Sequence, residues 1–440
     1  MKYILLICCC TLLLQSTAQN KKIDSFLTAL ETNLKAMGTL AIVSEGKLMY
    51  SKGIGYTSPG RQPAAVNTVY RVGSVTKMYT AAMMMKLLEQ GQTKMTTKLR
   101  RYYPLIPNAE KITISNLLGH TSGIFNITND SLYQQWYTQP ITQDAMIEKI
   151  MAYPPVFEPG SKKQYSNSNY ILLGYLVTQL TGKSYQQNLD EIINSITGAT
   201  HTRYGGKIDT ANHEAISFAY NNRQWIALPE TDMSVPHGAG AIVSTAAETA
   251  LFAEALVTGK ILNHEWTDSM LNIPKQMGYG LIKYNIDGET GYGHNGAING
   301  FNSTVLYLPG KKTGICFLGN GMNYSIEEII NGALKLYFNQ PYTIPTFKTV
   351  QLNDAQLEKL NGIYSSDKIP LKITISSKAG KLYAQATGQS EFALDAESPT
   401  IFSNGQFGIV LEFTADNAGR VNDMLLKQGG ATLPFTKSLH

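Results

Sequence analysis

Hydrophobic positions recur at two spacings along this chain, and the switch between them marks its organisation. Ile23, Phe26, Leu27, Leu30 and Leu34 fall on one helical face, which predicts a helix over residues 22–36 ended by Gly38. Two apolar runs, Leu40 to Val43 and Leu48 to Ser51, flank the turn Ser-Glu-Gly-Lys and predict a β-hairpin. The chain then reaches Tyr70-Arg-Val-Gly-Ser-Val-Thr-Lys77, followed by Met78, Ala81, Ala82, Met83 to Met85, Leu87 and Leu88. These are strong helix formers, apolar nearly all round, so this helix is expected to be buried. Gly91 stands where a C-terminal cap belongs.

Residues 95–160 give short helical pieces and turns, one starting at Thr113. A second apolar helix is expected from Tyr170 to Leu180, stopped by Gly182, and Thr245-Ala-Ala-Glu248 spells a capping box for a third. Strand-like runs follow at 278–286, 291–294, 302–308 and 314–318, and helical spacing returns at 326–338. Gln340-Pro-Tyr-Thr-Ile-Pro-Thr reads as a linker. Beyond about residue 351 the period is two, in short runs broken by Gly, Asn and Ser, which predicts a small antiparallel barrel or sandwich.

Composition narrows the possibilities. Charged residues make up 16% of 440 and the net charge is +5, too mild and scattered to argue for a nucleic-acid partner. Residues 1–18 read as a secretory signal peptide: Lys2, an apolar stretch too short to span a bilayer, then Ser16-Thr-Ala18 before a cut at Gln19. Cys8, Cys9 and Cys10 raise a lipid anchor as the rival, but the bulky residues before them favour simple cleavage. No later stretch is expected to cross a membrane. Cleavage leaves Cys316 alone in an apolar strand, a small hydrophobe with no disulfide partner.

The candidate chemistry begins at Ser74 and Lys77. Positions three apart on a helix face the same side, so the lysine amine can reach the serine hydroxyl, a poor nucleophile until a base takes its proton. Ser-x-x-Lys alone is weak. It recurs at Ser44–Lys47 in a hairpin turn and at Ser365–Lys368 in a polar loop, but only Ser74 opens a buried helix. Tyr165 and Asn167, in a polar turn before a helix, are candidates for the proton donor and the orienting amide. His294 begins His-Asn-Gly296-Ala297, the only His-x-Gly in the chain. Its glycines suit a strand along which a substrate lies, and its imidazole offers a hydrogen bond and, if protonated near pH 6.5, a positive charge for a substrate carboxylate.

Taken in order, Gly-Ser-x-x-Lys, Tyr-Ser-Asn and His-x-Gly resemble the serine β-lactamase-related hydrolases, in the branch of class C β-lactamases, D-alanyl-D-alanine carboxypeptidases and related esterases. Leu117-Leu-Gly-His-Thr-Ser-Gly-Ile124, Phe157-Glu-Pro-Gly160 and Tyr170-Ile-Leu-Leu-Gly174 resemble the family's connecting phrases, and the likeness covers roughly residues 22–340. Two decoys are set aside. His120-Thr-Ser-Gly123 is scaffold in the family, and Lys312-Thr-Gly314 falls in a turn between strands. A histidine where class C enzymes carry lysine puts efficient β-lactam hydrolysis in doubt, and no dedicated deacylating glutamate stands out.

The resemblance implies an α+β fold: a β-lactamase/DD-peptidase-like antiparallel sheet flanked by helices, with an inserted helical region, plus a small C-terminal all-β domain. The expected divisions are 1–18 signal peptide, 19–340 hydrolase domain, 341–350 linker and 351–440 β domain. The expected chemistry is a Ser74 acyl-enzyme on peptide, ester or amide carbonyls. Lys77 and Tyr165 move the proton, Tyr165 then activates water, and Asn167 and His294 orient the substrate beside Gly296. The Ser74 and Ala297 amides hold the oxyanion. No metal or cofactor is implied. The partner is a small-molecule or peptide substrate, with peptidoglycan-derived material among the candidates, and the location is secreted and periplasmic. The alternatives are a weak β-lactamase or a non-hydrolytic penicillin-binding sensor. The oligomeric state stays open.

Overall fold

The predicted hairpin forms from Ala36–Ser44 (β1) and Lys47–Ile54 (β2). The structure, a computed structural model, describes residues 20–221, 224–273, 277–416, 419–428 and 431–438. The expected signal peptide, with Cys8 to Cys10, lies outside these residues. Two compact units are described, one of Ala36–Met322, the other of Lys21–Lys35 together with the chain from Asn323 onward.

In the first unit β1 pairs with β2 on one side and on the other with the strand Thr313–Met322, so the ends of the unit share one sheet. Four further strands are Phe218–Asn221 (β3), Gln224–Ala227 (β4), Ile282–Ile286 (β5) and Glu289–Ile298 (β6); Phe301–Leu308 (β7) and Thr313–Met322 (β8) complete it. The order is β2-β1-β8-β7-β6-β5, antiparallel throughout, with the β3–β4 hairpin attached to β8 through a parallel pairing at Gly321 and Phe218. Thr313 to Gly321 is buried along its whole length, Cys316 included. The helix Ala246–Val257 lies on β1, β7 and β8. The short helices between the buried Thr76–Glu89 and Asn167–Thr181 helices form the expected insertion.

Three local readings change. The first helix spans 20–32, not 22–36. Leu34 takes a left-handed conformation (φ 54°) and the Lys35 amide bonds back to the Leu30 carbonyl, closing the helix early. Gly38 instead pairs with Gly319 where Asn320 bulges out of β8, and a Cβ on Gly38 would lie 2.3 Å from the Leu318 carbonyl oxygen. The capping box at Thr245 is half formed: its side chain accepts the Glu248 amide at 3.2 Å, but the Glu248 carboxylate turns to Thr200, His201 and Thr202. The second apolar helix starts three residues early, at Asn167, and ends as expected with Gly182 left-handed.

In the second unit the 20–32 helix meets the Ile326–Tyr337 helix at Phe26 and Gly332, where a Cβ on the glycine would lie 2.9 Å from the ring. The C-terminal strands close into an eight-stranded antiparallel barrel, Gly362–Ser365 pairing with Ala431–Lys437. It has its own core, including Tyr364, Phe402, Phe413 and Phe435. Closure decides between barrel and sandwich and leaves no open edge.

Candidate active site

Ser74 stands on a single 3₁₀ turn, Gly73–Val75, that leads into the Thr76–Glu89 helix. The turn is fixed from two sides. The Val72 amide bonds to the Ile242 carbonyl at 3.0 Å, and its carbonyl accepts from Ser303 Oγ on β7 at 2.7 Å. Gly73 has φ +52° and its missing Cβ would lie 3.0 Å from the Ala297 amide nitrogen. Both facts require glycine there.

Lys77 is fully buried, with 0% exposure. Its Nζ lies 3.0 Å from Ser74 Oγ, 2.8 Å from Asn167 Oδ1 and 2.8 Å from the Ala239 carbonyl oxygen. The rings of Tyr165 and Tyr170 stand 4.9 and 5.8 Å away. All these neighbours are neutral, so burial dominates and holds the amine well below its ordinary pKa. A neutral amine has two N–H groups and one lone pair. The two carbonyl oxygens can only accept, and they take both N–H groups. As the ammonium, Nζ donates its third N–H to Ser74 Oγ; once it loses that proton, its lone pair faces the Ser74 hydroxyl.

Tyr165 donates its O–H to Ser74 Oγ at 2.9 Å, and burial raises its pKa, so it is a neutral phenol at pH 7. Asn167 is aimed by contacts the sequence did not suggest. Its Nδ2 donates to Asn126 Oδ1 (3.2 Å) and Thr128 Oγ1 (3.0 Å), which turns Oδ1 toward Lys77. His120, set aside as scaffold, lies against Tyr165 with ring centroids 4.6 Å apart, and its Nδ1 accepts the Ser166 amide. It positions the phenol. Only the tertiary structure shows this, because 45 residues separate the two.

His294 lies on β6, buried to 4% exposure, its ring centroid 6.4 Å from that of Tyr165. Its expected charge near pH 6.5 is corrected by the structure. Burial pushes the imidazole down to about 3, so it is neutral at physiological pH. Gly296 faces the nucleophile turn: a Cβ there would lie 2.3 Å from the Val72 carbonyl oxygen and 2.9 Å from the Ser74 amide nitrogen. The Ser74 and Ala297 amides are thus carried on two segments in contact. Lys312 caps the β7–β8 turn, exposed and paired with Glu45 at 3.0 Å, in the turn where the sequence placed it. Among the described residues no group of three or more His, Cys, Asp or Glu could hold a metal ion.

The profile of the Beta-lactamase family matches residues 27–336. The chain belongs to the Beta-lactamase family. Within it the protein is a serine hydrolase, and no helix among the described residues is long and apolar enough to cross a membrane. This Beta-lactamase family chain is 24% identical over 331 residues to the teichoic acid D-alanine hydrolase of Staphylococcus aureus (strain NCTC 8325 / PS 47), covering 73% of this chain and 79% of that one. Its fold is shared with the octameric penicillin-binding protein homologue from Pyrococcus abyssi, at TM-score 0.66 and 23% identity, over 94% of this chain and 99% of that one. It is also shared with the D-amino acid amidase from Ochrobactrum anthropi SV3, at TM-score 0.62 and 20% identity, over 72% and 99%.

Proposed function

We propose that the protein is a secreted hydrolase that forms an acyl-enzyme at Ser74 on peptide, amide or ester carbonyls of D-amino-acid compounds. D-alanyl-D-alanine carboxypeptidase, D-amino-acid peptidase and esterase activities all belong to this type. The observation that carries the reading is the placement of Lys77. Its fully buried Nζ lies 3.0 Å from Ser74 Oγ and 2.8 Å from each of two carbonyl oxygens, and burial holds it well below its ordinary pKa.

Ser74 Oγ attacks the carbonyl as Lys77 Nζ takes its proton. The Ser74 and Ala297 amides receive the oxyanion; losing such a donor costs about 3–4 kcal/mol. The carbonyl then reforms, the C–N or C–O bond breaks, and the neutral Tyr165 phenol gives its proton to the leaving group. Lys77 restores that proton to the phenol, which resets the pair. Water enters where the leaving group was, gives a proton back through the same groups and releases the acid. The D-configured substrate class is supported by the names of the relatives above, and secretion by the leader-like residues 1–18.

The test is labelling by a fluorophosphonate and by a fluorescent penicillin, followed by hydrolysis of a D-aminoacyl amide, a D-alanyl-D-alanine peptide, an ester and a cephalosporin. Labelling that disappears in Ser74→Ala, with turnover of at least one D-configured substrate, is expected. Labelling that survives in Ser74→Ala would overturn the assignment of the nucleophile.

A further inference from the structure

Two residues before Ala239, whose carbonyl accepts from Lys77, the chain turns through His237 in a left-handed conformation (φ 35°). A non-glycine residue there is strained and persists only where its surroundings hold it. The turn is tight: the His237 carbonyl accepts the Gly240 amide at 3.1 Å and the Ala241 amide at 2.9 Å. It aims two successive carbonyls at the helix behind Ser74. Gly238 accepts from Thr80 Oγ1 at 2.6 Å, and Ala239 from Lys77 Nζ at 2.8 Å.

The His237 ring is buried and locked. It stacks on Tyr175 with centroids 4.3 Å apart, and the rings of Tyr185 and Tyr204 stand at 5.3 and 5.5 Å. On the Asn167–Thr181 helix a Cβ at Gly174 would lie 2.8 Å from His237 Cδ2, so only glycine admits the ring. Nδ1 lies 2.9 Å from the Tyr204 hydroxyl, which donates to the Met233 carbonyl at 3.0 Å. The His237 amide bonds to that same carbonyl at 3.2 Å. Nε2 is buried with no partner among the described residues. Burial pushes the imidazole down to about 4, so it is neutral at pH 7. The three tyrosines around it are neutral too, their pKa values raised by burial.

We propose that His237 is a positioning residue for the base. Its ring wedges the 237–239 turn in place, and that turn seals Lys77 from water and holds the Ala239 carbonyl on Nζ. The ring itself bonds to Tyr204, so it acts through the turn and not on the reacting atoms. This inference rests on the hydrolase reading above, in which Lys77 takes the proton from Ser74.

The test compares the natural full chain with His237→Gly and His237→Phe. Glycine adopts the left-handed conformation without strain, so a purely backbone role would leave His237→Gly like the natural protein. Phenylalanine keeps the flat ring and loses the bond to Tyr204. The first measurement is the pKa of Lys77, read from its ¹³Cε resonance and assigned by its loss in Lys77→Met. It needs no turnover. In His237→Gly water reaches the amine, and its pKa is expected to rise by at least one unit, because burial is what holds it down. In His237→Phe the rise is expected to stay below half a unit. A value that fails to rise in His237→Gly overturns the proposal. Should that variant not fold, His237→Asn, which also tolerates this conformation, is held to the same outcomes.

The second measurement is the rate of Ser74 labelling by a fluorophosphonate from pH 5 to 9. At pH 7 it is expected to be at least tenfold slower in His237→Gly and within threefold of natural in His237→Phe. The acid limb should rise with the Lys77 pKa. A slower rate with an unmoved limb makes His237 a structural residue only and overturns the proposal. Absence of Ser74 labelling in the natural protein is a failure of the hydrolase reading instead, and the Lys77 resonance still decides what His237 does.

Discussion

At the scale of single residues the decisive quantity is the proton on Lys77. In an unfolded chain a lysine titrates near 10.4; in the fold burial lowers that value well. Between the two values the unfolded chain holds one proton more than the native one, so native stability rises with pH across that window and is lost as pH falls through it. Replacing Lys77 by Met removes this dependence. The stability of the natural protein relative to Lys77→Met should therefore grow with pH from neutrality to about pH 10, by up to about 1.4 kcal/mol per unit. Urea unfolding at pH 7, 8 and 9 measures it. A difference that stays flat means the amine is charged in the native state.

In the proposed mechanism the same proton sets the activity. Asn167→Asp places a carboxylate 2.8 Å from Nζ and raises the amine's pKa, because an opposite charge at that distance favours the ammonium. The acid limb of the kcat/KM profile should move up by one unit or more, and activity at pH 7 should fall at least tenfold. An unmoved limb would show that Lys77 is not the base.

At the scale of elements the site is a meeting of backbone segments, and glycine permits the approach. Gly296→Ala puts a methyl group 2.9 Å from the Ser74 amide nitrogen and 2.3 Å from the Val72 carbonyl. Backbone must move, and with it the Ser74 amide proposed as an oxyanion donor. A loss of 10²–10³ in kcat is expected, about the cost of one oxyanion donor, with the fold retained by circular dichroism. His120→Ala removes the ring stacked on Tyr165 and should lower kcat about tenfold while leaving KM nearly unchanged. His120→Phe, which restores a flat ring but not the acceptor for the Ser166 amide, should recover part of that loss.

This scale also shows where the sequence was readable. Gly91 and Gly182 end their helices as the pattern suggested, because a left-handed cap is a local requirement. Gly38 looked like such a cap. It lies at a bulge against Leu318 and Gly319, which come from the far end of the unit. Local spacing cannot separate those two uses of a glycine.

At the scale of the molecule two cores are described. One runs through Ala36–Met322 and contains the buried helix behind Ser74; the other fills the C-terminal barrel. All the candidate catalytic groups belong to the first. Phe402 is fully buried in the barrel core, and Phe402→Ala should destabilise the barrel by about 3–5 kcal/mol. Labelling of Ser74 under native conditions should be kept. Loss of labelling in a variant that retains its β-sheet signal would show that the barrel takes part in the site.

The sequence by itself determined the fold class, the order of elements, the antiparallel all-β character of the C-terminal strands and the four residues proposed to work with Ser74. These are written in periodicity, caps and residue types, which act over a few positions. Tertiary structure alone decided the lowered pKa values of Lys77 and His294, the contacts of Asn126, Thr128, Ala239 and His120 with the site, and the closure of the barrel. Each of these depends on which distant groups come within a few ångströms and on how much water they exclude. Neither quantity exists in the chain until it is folded.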